Sequence, residues 1–304
     1  MNSKPIGITF SHRHLEYLKL DVEPALAKAL TLNFSHLRLG CYWSETEPAK
    51  NNYNFSKINQ LLEKCEVANQ PVILTIGVKA PRWPEFYWPE HIKEKNFTNL
   101  VTQQKIINFL EKIVEKLKKY QCISYWQIEN EPLDPSGPNN LVIPLSFLKK
   151  EIELVKNLDD RKVLINFWGN DLLARKLIYK IEDQADLIGL DLYPKQFVKK
   201  ILGKNIYKNY FGFHQPKNKL LNTLKNINQK IIITELQAEP WEDNEQEYLS
   251  KNPASISPTK LEQNILAALE LPIEEILLWG FEYWWWQKKQ NNNSDYFKVV
   301  EKFL

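Results

Sequence analysis

Eight short apolar segments, most of them followed by a stretch with helical spacing, predict an α/β fold: a single (β/α)8 TIM barrel spanning residues 1–304. The apolar segments are continuous rather than half polar, as expected of parallel strands covered on both faces. No change in composition marks a linker, and 304 residues are enough for one large domain. A doubly wound sheet is the alternative. Against it, no glycine-rich phosphate turn follows the first segment, and the chain has only nine glycines.

The predicted strands are runs of β-branched and apolar residues of strand length. In chain order they are Ile6–Phe10, His36–Cys41, Pro71–Gly77, Ile123–Ile128, Val163–Phe167, Ala185–Leu192, Lys230–Thr234 and Glu275–Gly280.

The predicted helices have apolar residues spaced at three and four positions. They are Leu15–Leu32, Lys57–Ala68, Leu100–Tyr120, Leu145–Leu158, Asp171–Ile181, Asn218–Ile227, Thr259–Leu269 and Tyr296–Leu304. Ser56 and Asn170 are the predicted helix caps because their side chains can accept from free N–H groups. Lys195–Gln215 and Gln237–Ser257 are expected to be the long loops.

Composition excludes several classes of protein. With 43% hydrophobic and 25% charged residues the chain resembles a soluble globular protein, and a net charge of +3 favours neither nucleic acid nor a membrane surface. No apolar stretch reaches the roughly 18 residues of a membrane span. The first residues, MNSKPIGITFS, contain no signal-peptide core, so we expect a cytoplasmic protein, for which a monomer is plausible.

Metal and disulfide chemistry are not indicated. Cys41, Cys65 and Cys122 are widely spaced, which favours free thiols. His12 and His14 are two residues apart at a strand end, where a loop or capping role is favoured over metal binding. We therefore expect neither a metal nor an organic cofactor.

Acidic and aromatic residues follow most of the predicted strands. In a (β/α)8 barrel the active site lies at the carboxyl ends of the strands. Glu131 follows the fourth strand, where Pro132 stops the ladder because proline has no N–H, and Glu235 follows the seventh. Aromatic faces stack on sugar rings, and paired carboxylates cleave glycosidic bonds, so these strand ends predict carbohydrate chemistry.

The spacing of the two glutamates predicts that they converge. The fourth and seventh strands face each other across an eight-stranded barrel, so Glu131 and Glu235 are expected to meet over one bound sugar. Carboxyl groups about 5–5.5 Å apart would retain the anomeric configuration, whereas roughly 6.5–9.5 Å would admit a water for inversion.

Several motifs together resemble clan A of the glycoside hydrolases, which are retaining (β/α)8 enzymes that include β-galactosidases and cellulase-like members. The motifs are WQIENEP at the fourth strand, IIITELQAEPW at the seventh, GLDLYP at the sixth, WGFEYW at the eighth, and the segment Leu37–Pro84. The resemblance covers nearly the full chain. It implies a retaining β-glycosidase acting on an oligosaccharide or polysaccharide.

The resemblance also implies a role for individual residues. Glu131 would be the acid/base and Glu235 the nucleophile. Asn130 would bind the 2-hydroxyl of the sugar, Tyr193 would donate to Glu235, and Arg38 would keep Glu235 ionised. A buried structural ion pair is the alternative role for Arg38.

Tryptophans are the predicted sugar-stacking residues. The resemblance implies that Trp284 floors the subsite of the reacting sugar. Trp43 and Trp241 are either sugar platforms or packing residues. After the third strand, where many clan members have a histidine, the chain has Lys79 or Trp83, and Trp83 is a predicted substrate-binding residue. Trp126 and Trp279 are expected in the core.

Two other function classes stay open. One is a catalytically inactive barrel that keeps the aromatic edge as a carbohydrate-binding surface. The other is a barrel enzyme of different chemistry. A metal-dependent hydrolase would need a His/Asp cluster that the sequence lacks, and an aldolase would need Lys79 as its reactive amine. Short loops hint weakly at an open groove and endo action, and the sugar is not identified.

Overall fold

The computed structural model describes residues 4–169, 178–181, 183–209, 222 and 224–304, and contains a closed barrel of eight strands. Around the barrel the strand order is β1-β10-β9-β6-β5-β4-β3-β2, and neighbouring strands pair in parallel. The single (β/α)8 barrel predicted from the sequence is therefore confirmed. The strands are β1 Ile6–Thr9, β2 Leu37–Gly40, β3 Val72–Ile76, β4 Ile123–Ile128, β5 Lys162–Trp168, β6 Leu187–Leu192, β7 Lys195–Ile201, β8 Lys204–Asn209, β9 Lys230–Gln237 and β10 Glu275–Trp279.

The predicted strands match the barrel strands closely. β4 has the predicted bounds, and most of the others differ from the prediction by one or two residues at an end. β9 is the exception, because its pairing with β10 continues through Gln237, three residues beyond the predicted end at Thr234. Glu235 thus lies within the last part of a strand rather than after it.

Helices occupy most connections between the barrel strands. They are His12–Tyr17, Val22–Leu30, Trp43–Thr46, Ser56–Val67, Leu100–Leu117, Leu145–Leu158, Glu245–Tyr248, Pro258–Leu269, Phe281–Asn291 and Asp295–Val300. The predicted Asp171–Ile181 and Asn218–Ile227 helices fall largely outside the described residues, as does the predicted cap Asn170.

Three local predictions were wrong. The single helix predicted over Leu15–Leu32 is two helices, because Lys19 adopts a left-handed φ of 56° between them. Ser56 is the first helical residue rather than the cap, and its N–H donates to the Asn54 side chain at 3.0 Å. The predicted loop Lys195–Gln215 contains the antiparallel hairpin of β7 and β8.

The described residues divide into two compact units: those within 36–168 and 173–189 form one, and those within 1–35, 169–172 and 190–304 form the other. That all 304 residues act as one catalytic domain stays a prediction. In the first unit, helix Leu100–Leu117 turns its predicted apolar face inward, as expected from its spacing. The buried residues of that face are Ile106, Phe109, Leu110, Ile113, Val114 and Leu117.

The second unit contains β1, β9 and β10, and its core includes an aromatic helix. Phe281 and Trp284 of helix Phe281–Asn291 pack edge-on against Phe297, at centroid distances of 5.7 and 5.9 Å. Gly280 precedes this helix with a φ of 157°, and a Cβ there would lie 2.5 Å from the carbonyl oxygen of Ala238. Only glycine allows the chain to turn from β10 into the helix at this point.

Candidate active site

Glu131 lies in a tight turn at the carboxyl end of β4. Its φ of 44° and the φ of 59° at Glu129 are both left-handed, a conformation that costs a non-glycine residue roughly 1–2 kcal/mol. Hydrogen bonds hold Glu131 there from both sides. Its N–H donates to Asn166 Oδ1 at 2.8 Å, and its carbonyl accepts from Lys79 Nζ at 2.7 Å.

Asn130, the predicted ligand of the sugar 2-hydroxyl, belongs to a buried network with Arg38. Arg38 Nη2 donates to Asn130 Oδ1, and Asn166 Nδ2 donates to the same oxygen at 2.9 Å. Arg38 Nε donates to Gln127 Oε1 at 2.6 Å, and Gln127 Nε2 donates to Asn166 Oδ1 at 3.0 Å. Because two donors fix Oδ1, the amide nitrogen of Asn130 is the atom that can donate to a ligand.

Arg38 is fully buried on β2, and these contacts place it beside Asn130. Its predicted action on the ionisation of Glu235 stays a prediction. Sequence reasoning missed Gln127 and Asn166, although a signal was present. Each is a polar residue inside an otherwise apolar strand, and a polar side chain buried at such a position requires partners.

Glu235 is buried near the end of β9 and is hydrogen-bonded to Tyr193. The Tyr193 hydroxyl donates to Glu235 Oε2, as predicted, from a position directly after β6. The preceding residue, Thr234, donates through its hydroxyl to Asp191 Oδ1. The structure thus brings the predicted nucleophile together with its predicted partner.

A β-bulge lies at Glu235. The partners Ile276↔Ile233 and Leu278↔Leu236 leave two residues of β9, Thr234 and Glu235, opposite one residue of β10. Such a bulge bends the strand and redirects the side chains on it. Without an observed partner strand, no sequence pattern shows where the extra residue falls.

The predicted stacking tryptophans differ in exposure. Trp284 is fully buried, and its Nε1 donates to the Ala238 carbonyl at 2.7 Å. Trp43 is also fully buried and stacks on Phe109 at 4.7 Å. A sugar platform needs an open ring face, so the structure gives neither residue a surface for that role, and both are packing residues.

Trp83 and Trp241 keep the exposure that stacking requires. Trp83, in the segment after β3, is 71% exposed. Trp241 is 39% exposed and meets Tyr193 edge to face at a centroid distance of 5.0 Å. Trp126 and Trp279 are buried, which confirms their assignment to the core.

Two buried glutamates lie close to β4 in sequence: Glu129 directly follows the strand, and Glu151 is in the next helix, Leu145–Leu158. The Glu129 carboxylate accepts from the N–H groups of Val78, at 2.9 Å, and Lys79. Burial raises the pKa of Glu129 to about 7, although those two N–H groups and the nearby Lys79 ammonium act in the opposite direction. Burial, and then the charge of Glu129, hold the pKa of Glu151 well above its ordinary range.

Lys79 is fully buried, and its ammonium donates to the carbonyls of Glu131 and Asp134 at 2.7 and 3.1 Å. An amine that reacts with a carbonyl substrate must be accessible and neutral. The aldolase alternative therefore has no suitable lysine at this position.

Among the described residues, no group of three or more His, Cys, Asp or Glu side chains is arranged to hold a metal ion.

Comparison with known proteins gives a likeness of structure only. No protein-family model matches the chain, and no curated protein matches its sequence. Within the described residues, no helix is both long and apolar enough to cross a membrane.

Solved structures that the chain resembles include two xylanases and a β-galactosidase. The glycosylated endo-β-1,4-xylanase of glycoside hydrolase family 10 from Gloeophyllum trabeum is 12% identical with a TM-score of 0.58, and the match covers 91% of this chain and 84% of that one. The intracellular xylanase TsXylA from Thermoanaerobacterium saccharolyticum is 15% identical with a TM-score of 0.60, over 92% and 86% of the two chains.

The cold-adapted β-galactosidase from Rahnella sp. R3 is 13% identical with a TM-score of 0.61, and the match covers 92% of this chain. It covers 50% of the β-galactosidase, so this chain spans half the length of that protein. At these identities the likeness establishes architecture rather than activity. The chain therefore has the (β/α)8 fold seen in these glycoside hydrolases.

Proposed function

We propose that the chain is a retaining glycosidase that cleaves β-glycosidic bonds of an oligosaccharide or polysaccharide. One observation carries the proposal: Glu131 and Glu235 lie at the carboxyl ends of β4 and β9, the fourth and seventh strands of a closed parallel barrel. Active sites of this fold lie at that end of the strands, and this reaction requires two carboxyl groups. Xylanases and a β-galactosidase with the same fold favour the same chemistry.

In the first proposed step, a carboxylate oxygen of Glu235 attacks the anomeric carbon as the bond from that carbon to the leaving oxygen breaks. Glu131 gives its proton to the leaving oxygen, so the aglycone departs as a neutral alcohol. Tyr193 supports this step because its hydroxyl orients the carboxylate of Glu235.

In the second step, Glu131 removes a proton from water, whose oxygen attacks the anomeric carbon and releases Glu235. Two inversions at one carbon retain the configuration. Asn130, whose Oδ1 is fixed by Arg38 and Asn166, is proposed to donate its amide hydrogen to the sugar 2-hydroxyl. Trp83 and Trp241 are the proposed stacking surfaces because their rings are exposed.

The test begins with a screen of aryl β-glycosides, xylan and other polysaccharides. Glu131→Gln and Glu235→Gln are then assayed on the substrate that is cleaved, with Glu90→Gln as the control because Glu90 is an exposed glutamate after β3. We expect the first two changes to lower kcat/KM by about three orders of magnitude or more, with unchanged melting temperatures. Near-normal turnover by either variant would remove the assignment. Binding of a glycan without hydrolysis would instead favour a carbohydrate-binding barrel.

A further inference from the structure

Lys79 is a buried cation directed at the backbone that carries Glu131. Its ammonium donates to the carbonyls of Glu131 and Asp134, lies 3.6 Å from Glu85 Oε2, and lies 5.6 Å from the centroid of the Phe86 ring. Removing an ammonium from water is costly unless its surroundings compensate. Apolar groups in place of the whole buried ion pair often cost no stability, so stability alone does not explain why a cation is present here. The position of this charge therefore calls for another explanation.

The contacts of Lys79 act on Glu131, which is one of the residues with a left-handed backbone conformation. Glu131 has a left-handed φ of 44°, and Lys79 holds its carbonyl while Asn166 holds its N–H. With both peptide groups fixed, the direction of the Cα–Cβ bond is fixed as well. That bond decides where the carboxyl group can reach.

Reciprocal hydrogen bonds connect the segments that follow β3 and β4. The Lys79 side chain holds the turn after β4, while the Glu129 carboxylate accepts from the Val78 and Lys79 N–H groups after β3. The Asn130 N–H also donates to the Lys79 carbonyl at 2.7 Å. A shift of Lys79 would therefore move the turn that carries Glu131.

We infer that Lys79 is a positioning residue for Glu131, holding its backbone so that the carboxyl group can transfer a proton to the leaving oxygen. The inference rests on the proposed function, in which Glu131 is the acid/base. Proton donation matters most for a poorly departing alcohol and little for an acidic phenol. A misplaced Glu131 therefore has a signature that a general loss of stability lacks.

The experiment compares phenyl and dinitrophenyl β-glycosides of the accepted sugar in wild type, Lys79→Met, Glu131→Ala and Lys156→Met. Lys156 is a lysine of the same unit that is paired with Asp186 at 2.9 Å, so its change controls for loss of a lysine ion pair. For Lys79→Met we expect kcat/KM on the phenyl glycoside to fall roughly 10- to 100-fold. On the dinitrophenyl glycoside we expect kcat/KM to change less than about threefold, because kcat/KM reports the first step, in which an acidic phenol needs little proton donation.

An equal loss of kcat/KM on both substrates in Lys79→Met, or no loss on either, would overturn the role of Lys79. Glu131→Ala separates this result from failure of the proposed function. If Glu131→Ala also shows no dependence on the leaving group, the acid/base assignment itself is wrong, and the inference falls with it. If Lys79→Met does not fold, Lys79→Arg, which keeps the positive charge but changes the geometry of the donors to the Glu131 and Asp134 carbonyls, decides by the same two criteria.

Discussion

At the scale of single residues, the candidate site depends on side chains that fix the atoms of other side chains. Tyr193 donates to Glu235, Arg38 and Asn166 fix the amide of Asn130, and Lys79 holds the carbonyl of Glu131. Each contact limits an atom that the proposed reaction uses to one position. Preorganisation of this kind lowers the barrier because less reorganisation is needed in the transition state.

Tyr193→Phe tests one such contact. Removing the hydroxyl leaves the Glu235 carboxylate without that donor, and a hydrogen bond to a charged group is worth about 1.5–3 kcal/mol. We expect kcat/KM to fall roughly 10- to 100-fold with little change in melting temperature. Tyr207→Phe is the matched control, since the Tyr207 hydroxyl donates to Glu242 on the β7–β8 side. A loss of the same size in both variants would contradict the role of Tyr193.

At the scale of elements, the turns after the strands place the site, and they require particular residues. Gly77 follows β3 with a φ of 123°, and a Cβ there would lie 2.3 Å from Cδ of Glu129. The buried carboxyl group of Glu129 therefore occupies space that only glycine leaves open. The hydrogen bonds from the Val78 and Lys79 N–H groups to Glu129, which connect the ends of β3 and β4, depend on that space.

Gly77→Ala should be strongly destabilising, and Gly203→Ala is its control. Gly203 in the β7–β8 turn has a φ of 75°, but a Cβ there would meet nothing within 4 Å. We expect Gly203→Ala to cost about 1 kcal/mol from the backbone conformation alone. Gly77→Ala should cost roughly 2 kcal/mol more, because Glu129 must also move. Equal free energies of unfolding in urea would show that the space beside Glu129 is not restrictive.

The elements also show what the sequence could and could not predict. Apolar runs identified all eight barrel strands, because parallel strands buried on both faces have an unmistakable composition. The β7–β8 hairpin was missed because its lysine-rich, largely exposed sequence resembles a loop. Helix Phe281–Asn291 was missed because its first six residues are almost all aromatic and its last five are all polar, so apolar residues do not recur at helical spacing.

Within the site, motifs identified charged groups but not the geometry around them. The contact of Tyr193 with Glu235 agrees with the resemblance. Arg38 contacts Asn130, and its predicted action on Glu235 stays a prediction. The burial of Trp43 and Trp284 does not, because tryptophan is as common in cores as in sugar platforms. The bulge at Glu235 and the contacts of Lys79 arise from tertiary pairing, which a single sequence does not display.

At the scale of the whole molecule, the buried acids Glu129 and Glu151 should make stability depend on pH. Burial raises the pKa of both groups, that of Glu129 to about 7, so the folded chain binds more protons than the unfolded chain. The stabilisation from Glu129 is fully present below the unfolded pKa of about 4.3 and is lost as pH rises through about 7. The stabilisation from Glu151 is lost as pH rises through its own raised pKa. The loss can approach about 1.4 kcal/mol per pH unit for each proton released.

Glu151→Gln should weaken the dependence of the free energy of unfolding on pH. The variant keeps the shape of the side chain but removes one carboxyl group that resists ionisation. The decrease in its free energy of unfolding between pH 5 and pH 8 should therefore be about 1–3 kcal/mol smaller than the decrease in wild type. Glu153→Gln is the control, because Glu153 is exposed on the same helix and should leave the pH dependence unchanged. Urea denaturation at both pH values measures the effect. Parallel curves for wild type and Glu151→Gln would contradict it.

The proposed mechanism requires that Glu235 form a covalent bond to the sugar. An activated glycoside that carries fluorine in place of its 2-hydroxyl slows the second step more than the first when its leaving group is good, so the intermediate accumulates. After incubation, proteolysis and mass spectrometry should find the sugar on the peptide that contains Glu235, and no label on Glu235→Gln. A label on any other residue, or a catalytically active chain that never becomes labelled, would rule out Glu235 as the nucleophile.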